Sequence, residues 1–199
     1  MTPAQSKTAT AKPRRADAER SIARILDAAV EALASAPEAS MSEIARRAGV
    51  VRATIYVHYP TREALIAAVT ERAMREAHDA ITAAEPERGD PVDALRRVVT
   101  TAWRTLGRYH ALVEVNTRLP HAELHRRHHA VFEALEPLIR RGQRAGAFRA
   151  DVPPAWHLST TIALMHAASA EVRSGRLPEK KVEGALVETV LGAVGAPAR

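Results

Sequence analysis

The stretch from Ser40 to Arg62 constrains this chain more than any other, because it carries helix start and stop signals at close spacing. Ser40 with Glu43 three residues later forms a capping box, in which hydroxyl and carboxylate satisfy opposite backbone N–H groups, so a helix is predicted from about Met41. Ile44, Ala45 and Ala48 give it a small apolar inner face, with Glu43, Arg46 and Arg47 outside. Gly49 stops it, since glycine accepts the left-handed backbone of a helix C-terminus. Val50 plugs the elbow, and a second helix is predicted over Arg52 to Tyr59 before Pro60 ends it. Ile55 and Tyr59, four apart, face inward together, which leaves Arg52, Ala53, Thr54, Tyr56, Val57 and His58 on the outer arc.

That arc has the chemistry of a DNA-reading surface. Its hydroxyls, imidazole and guanidinium bond phosphates, and the small or apolar groups beside them suit thymine methyls. Thr61 caps a third helix with Arg62 in its first turn, where a cation opposes the helix dipole, so a phosphate partner is the expected reason for Arg62.

The runs Ile25-Leu26-Asp27-Ala28-Ala29, Ser42 to Val50, Arg52 to Pro60 and Arg62 to Leu65 together resemble the N-terminal domain of the tetracycline-repressor (TetR) family, over roughly residues 17 to 80. The resemblance implies that Ser42, Thr54, Tyr56, His58 and Arg62 contact DNA, and that Arg52, Ala53 and Val57 set the choice of operator. It also implies a divergent helical C-terminal domain for an effector. Two positions depart from the family pattern. Val51 stands where a serine-like cap is usual, leaving the second helix uncapped at a cost of about 0.5–2 kcal/mol. Pro37-Glu38 replaces a glycine-bearing loop between the first two helices.

Composition narrows the function classes. Basic residues outnumber acidic ones 29 to 23, and a net charge of +6 favours a polyanionic partner. Arginine supplies most of that charge, which suits phosphate forks and equally reflects a GC-rich genome. There are no cysteines, hence no disulfides or thiolate metal sites, which fits a reducing cytoplasm. No run of 18 uncharged apolar residues exists, so no membrane span is expected. The start lacks the apolar core of a signal peptide.

Residues 1–16 read as a disordered basic tail. Lys7, Lys12, Arg14 and Arg15 are positioned to lie along DNA, or simply to solubilise the chain. Residues 17–62 form the helix-turn-helix domain, on a strut whose Ile22, Ile25, Leu26, Ala29, Val30 and Leu33 make one stripe. A helix over 61–83 repeats this pattern with Leu65, Ile66, Val69, Met74, Ala77 and Ile81, and links to a helical domain over 84–199 for ligand binding and dimerisation. Within that domain, helices are predicted from Asp90-Pro91 to Gly107, over Tyr109 to Arg118, from Pro120 to about Gln143, over Ala155 to Arg173 and over Pro178 to Val194. No alternating strand pattern appears, so the fold class is all-α.

A cavity among the middle helices is expected to be lined by Trp103, Leu106, Tyr109, Val113, Phe132, Trp156 and Met165, with Asn116, His166 or Glu171 as polar anchors. The last two helices carry Ala167, Ala168, Ser169, Gly184 and Gly192, small residues that let backbones approach, and are the candidate homodimer surface. His121, His125 and His129 share a helical face that could chelate metal or sense acid, though Arg126 and Arg127 oppose a cation there. No metal site or cofactor is predicted. No catalytic carboxylate–histidine pairing, activated nucleophile or phosphate loop is present at the required spacing. The expected function is a homodimeric bacterial repressor released from a palindromic duplex operator by a small-molecule effector. A metal- or pH-responsive regulator, or a helical ligand-binding protein without DNA affinity, are the alternatives.

Overall fold

The computed structural model describes residues 11–110, 112 and 121–196, with the backbone alone for residues 11–16 and 121–125. Eight α-helices occur among them: α1 Ala11–Ser35, α2 Met41–Arg47, α3 Arg52–His58, α4 Arg62–Ala83, α5 Pro91–Leu106, α6 His121–Arg144, α7 Pro154–Arg173 and α8 Glu179–Val194. One 3-10 turn, Gly107–Tyr109, follows α5. The pairing between Phe148 and Gly195 is an isolated bridge, so the fold is all-α. The helix predicted over Tyr109 to Arg118 falls largely outside the described residues.

Helix α1 corrects the expected tail. It begins at Ala11, so the last six residues of the segment read as disordered are helical. Ala, Lys and Arg dominate Ala11 to Ala16 and are strong helix formers. Pro13 lies in the first turn, where its missing N–H costs no helical bond.

The chain divides into two compact units, one ending at Val69 and one beginning at Thr70, with the division inside α4. In the first, Ile25, Leu26, Ala29 and Leu33 of α1, Ile44 and Ala45 of α2, Ile55 of α3 and Leu65 and Val69 of α4 are buried. In the second, α5 packs against α6 and α8, and α7 packs against both α6 and α8. Trp103, Leu138, Ile139, Phe148 and Val190 are among the buried members of this core.

Arginines hold the loop that precedes α5. Arg97 donates to the Arg88 carbonyl at 2.9 Å and the Glu85 carbonyl at 3.1 Å, and Arg141 donates to the Pro86 carbonyl at 2.8 Å. Asp90 caps α5 by accepting from the Val92 amide at 2.8 Å, as Asp-Pro at a helix start predicts.

Phe148 anchors the turn after α6 by lying over Gly142. A Cβ built on Gly142 would stand 2.0 Å from the Phe148 ring, which is itself only 2% exposed. Gly142→Ala should therefore lower the unfolding free energy by about 1–3 kcal/mol through overpacking, read as a shift in the urea midpoint. An unchanged midpoint would mean that the ring yields freely.

Candidate DNA interface and effector cavity

Helix α2 starts as expected but with half of the capping box. Ser40 accepts from the Glu43 amide at 3.2 Å. The Glu43 carboxylate turns instead to Arg46, at 2.7 and 3.0 Å, and to Arg47, at 2.9 Å. Two guanidiniums one turn away outcompete a single backbone amide, since charge-assisted bonds are the stronger ones. The Arg46 guanidinium, and next that of Arg47, holds the Glu43 carboxyl down at about 2. Gly49 closes the helix at φ +64, in the left-handed region that calls for glycine.

Helix α3 then presents its outer arc. Arg52, Ala53, Tyr56 and Val57 are exposed, Thr54 and His58 are half-buried, and Ile55 is the one buried residue of the helix. Tyr59, expected to face inward beside Ile55, is only half-buried. The Arg52 guanidinium lies over the Tyr56 ring, 5.4 Å from its centroid. Val57 is 77% exposed and Val51 70%, so two apolar side chains stand in solvent on this surface. Val51 occupies the N-cap with extended backbone and accepts no side-chain cap bond. Ser42 on α2 is also exposed. The side chains of Arg14 and Arg15 lie outside the described residues.

Arg62 has partners within the protein that its sequence position did not suggest. Its guanidinium donates to the Ala39 carbonyl at 3.3 Å and to the Pro37 carbonyl, tying the first turn of α4 to the loop between α1 and α2. Thr61 caps α4 by accepting from the Ala64 amide at 3.1 Å. The cation at this helix start thus has a partner inside the protein. The Pro37 and Ala39 carbonyls lie past the end of α1, in the irregular loop before α2, and a long side chain satisfies them.

A cavity of about 100 Å³ opens in the second unit, walled by α4, α5, α6, α7 and the 3-10 turn. A water needs only roughly 10–15 Å³, so this space exceeds a packing defect. Of the residues expected there, Trp103, Leu106, Tyr109, Phe132, Met165 and His166 line it. Val113 and Asn116 fall outside the described residues. Trp156 does not belong: it is 60% exposed on α7, because Leu158 and Thr161 carry the inward face of that helix. Glu171, offered as an anchor, pairs with Arg176 at 2.6 Å away from the wall.

Many wall residues were missed by sequence reasoning, Thr161, His110 and Ser169 among them. Ser169, assigned to a dimer surface, is 4% exposed, and its hydroxyl lies 2.9 Å from His110 Nδ1 across 59 residues of sequence. Periodicity places a residue on a face but does not name its neighbour on another helix. Tyr109 donates to Glu76 of α4 at 2.9 Å, and Glu76 also accepts from Arg72 at 3.1 Å and from Arg108. Burial works against this carboxylate, but bonds from Arg108, Tyr109 and Arg72 outweigh it and hold the pKa below the ordinary value.

The histidine face remains partly outside view, since the side chains of His121 and His125 are not described. His129 is exposed and pairs with Glu133 at 3.3 Å. Among the described residues no group of three potential ligands could hold a metal ion.

Against known proteins, residues 25–69 match the family described as bacterial regulatory proteins, tetR family. Residues 90–190 match the family described as transcriptional regulator SbtR-like, C-terminal domain. The HTH-type transcriptional repressor LfrR of Mycolicibacterium smegmatis is 31% identical over 177 residues, covering 88% of this chain and 91% of the relative. The HTH-type transcriptional regulator NfxB of Pseudomonas aeruginosa is 28% identical over 182 residues, covering 88% of this chain and 95% of the relative. The crystal structure of LfrR in complex with proflavine superimposes with a TM-score of 0.69 at 28% identity, over 90% of this chain and 98% of that one.

Two substitutions test the local physics of the reading head. Val51→Ser supplies the missing cap without removing a packed side chain, and should raise the unfolding free energy of the head by about 0.5–2 kcal/mol in denaturant titrations; a loss would mean that exposed Val51 is packing after all. Arg62→Ala should lower it by roughly 1–2 kcal/mol through the two orphaned carbonyls. If the midpoint stays put and only the salt dependence of DNA binding flattens, Arg62 serves phosphate and not the loop.

Proposed function

The chain belongs to the tetR family of bacterial regulatory proteins, and on that premise we propose that it is a homodimeric repressor which reads a palindromic operator with α3 and releases it when a small molecule fills the cavity. The observation that carries the DNA reading is the exposed arc of α3. Val57 and the stacked pair of Arg52 and Tyr56 stand in solvent on a helix with a single buried residue. Exposed apolar side chains cost free energy in water, and beside a guanidinium they match the mixed methyl and acceptor edge of the major groove.

The dimer is supported by the outer faces of α7 and α8. Ala163, Ala167 and Ala170 on α7, and Ala185 with Gly184 and Gly192 on α8, are exposed, and nothing lies within 4 Å of where a Cβ of either glycine would stand. Small residues let helices approach closely, and two helices from each subunit make a four-helix contact. Two heads held this way read half-sites about one turn, roughly 34–36 Å, apart.

The effector reading is supported by the apolar cavity and by proflavine in the related LfrR. Helix α4 is the route of regulation: Met74, Ala77 and Ile81 wall the cavity, and Arg62 of the same helix braces the loop before α2. A ligand that displaces this wall re-aims the start of a continuous helix.

Binding to a fluorescent duplex from upstream of its own gene, beside a scrambled duplex over a salt series, tests the proposal. Tight binding to the native duplex alone with a steep salt slope is expected; equal, weak binding to both overturns it. Arg52→Ala should relax base choice at one position per half-site by roughly 1–3 kcal/mol, and equal weakening on random DNA would count against base reading. Ala167→Glu should give monomers in sedimentation and weaken operator binding. A persisting dimer would move the interface elsewhere.

A further inference from the structure

The few polar groups on the cavity wall have most of their hydrogens already committed. Tyr109 donates to Glu76 at 2.9 Å, Thr161 to the His157 carbonyl at 2.8 Å and Ser169 to the Met165 carbonyl at 2.9 Å. A hydroxyl has one hydrogen, so these three have none left to offer. His110 Nδ1 stands 2.9 Å from Ser169 Oγ. With the serine hydrogen on Met165, Nδ1 must carry the proton and donate to Oγ, which fixes the tautomer and spends the one N–H of His110. Its Nε2 is left a bare acceptor, buried and without a partner.

His166, on the same face of α7 as Ser169, is different. It lines the cavity half-buried, and neither ring nitrogen bonds another described group. Its edge meets the His128 ring at 5.9 Å between centroids. Burial, and next the neighbouring His128, hold His166 below its ordinary pKa, so it is a neutral imidazole near pH 7 with a lone pair to give. Among the described wall residues there is no carboxylate, while Arg127 lies on the wall and is not free. A cation would be stripped of water there without a counter-charge.

We infer that the cavity selects an uncharged, largely apolar ligand of the phenol class, whose O–H is accepted by His166. The inference rests on the cavity being the effector site and names what that site prefers. An apolar body meets the aliphatic and aromatic wall, and a single donor meets the His166 imidazole, whereas the bare Nε2 of His110 is sealed within the wall. Removing the donor leaves that acceptor unpaired, and neutral hydrogen bonds of this kind are worth roughly 3- to 10-fold in affinity.

The test uses four probes of matched shape: 4-propylphenol, 4-propylanisole, propylbenzene and 4-propylbenzylammonium. Trp103 on the wall reports binding by fluorescence in a Trp156→Phe background, which leaves it the only tryptophan. The phenol is expected to bind roughly 3- to 10-fold tighter than propylbenzene, with the anisole no better than propylbenzene and the ammonium weakest. His166→Phe should erase the phenol's advantage while propylbenzene binding persists, which also shows that the variant is folded. An anisole equal to the phenol, an ammonium that binds best, or an advantage that survives His166→Phe overturns the inference. If propylbenzene binds and the phenol gains nothing, the donor preference falls and the effector site stands. If none of the probes binds the unsubstituted wall, both fall.

Discussion

A helix of seven residues does not hold itself together in water, because fixing its first turn costs more than one hydrogen bond returns. Helix α3 lacks even a side-chain cap, and it keeps its place through one fully buried side chain, Ile55. Everything the reading head offers to DNA hangs on that contact. It explains why the rest of the head is so strictly punctuated: Gly49 turns the chain at φ +64, Thr61 starts α4, and the small buried Ala45 on α2 and Ala48 at its end let the two short helices meet. With one buried anchor, Arg52, Ala53, Tyr56 and Val57 of α3 are exposed and available for chemistry.

Arginine does more inside this protein than its net charge suggests. Arg62, Arg97 and Arg141 each reach backbone carbonyls of irregular segments that no helix satisfies. Arg46 and Arg47 share Glu43, Arg96 pairs with Glu188, and Arg104 pairs with Glu183. The planar guanidinium with five donors suits carbonyl clusters as well as phosphates. A basic total is therefore a poor map of a nucleic-acid footprint. The informative cation is Arg52, which lies over an aromatic ring at the solvent face of α3 and not against a carboxylate.

What the sequence made legible was local. The start of α2, its glycine stop, the Asp90-Pro91 start of α5 and the cap-less Val51 all depend on residues within four positions of one another, and the structure has each of them. The cavity was legible only as a set of apolar faces. Trp103, Phe132 and Met165 reached its wall because helical spacing points them inward, whereas Trp156, on the same helix as Met165, points to solvent. Hydrophobic size does not decide which edge of a stripe is covered. The pair of His110 and Ser169 was invisible because it forms across 59 residues, and Ser169 read alone looks like a small interface residue. The carbonyl partners of Arg62 were invisible for the same reason, lying 23 and 25 positions upstream.

Helix α4 contributes Leu65, Ile66 and Val69 to the core of the first unit, and Thr70, Ala73, Ala77 and Ile81 to the cavity wall of the second. A switch of the proposed kind has a free-energy requirement. A ligand at about 100 times its Kd supplies roughly 2.7 kcal/mol to the state it prefers. Carrying a two-state equilibrium from 1:99 to 99:1 takes about 5.5 kcal/mol. One cavity falls short of this, and the two cavities of the proposed homodimer together come close to it, provided that both bias the same pair of states. Dimerisation on this argument does more than space the two heads for a palindrome: it lets a modest apolar site, with few polar contacts to spend, release the operator fully at attainable ligand concentrations.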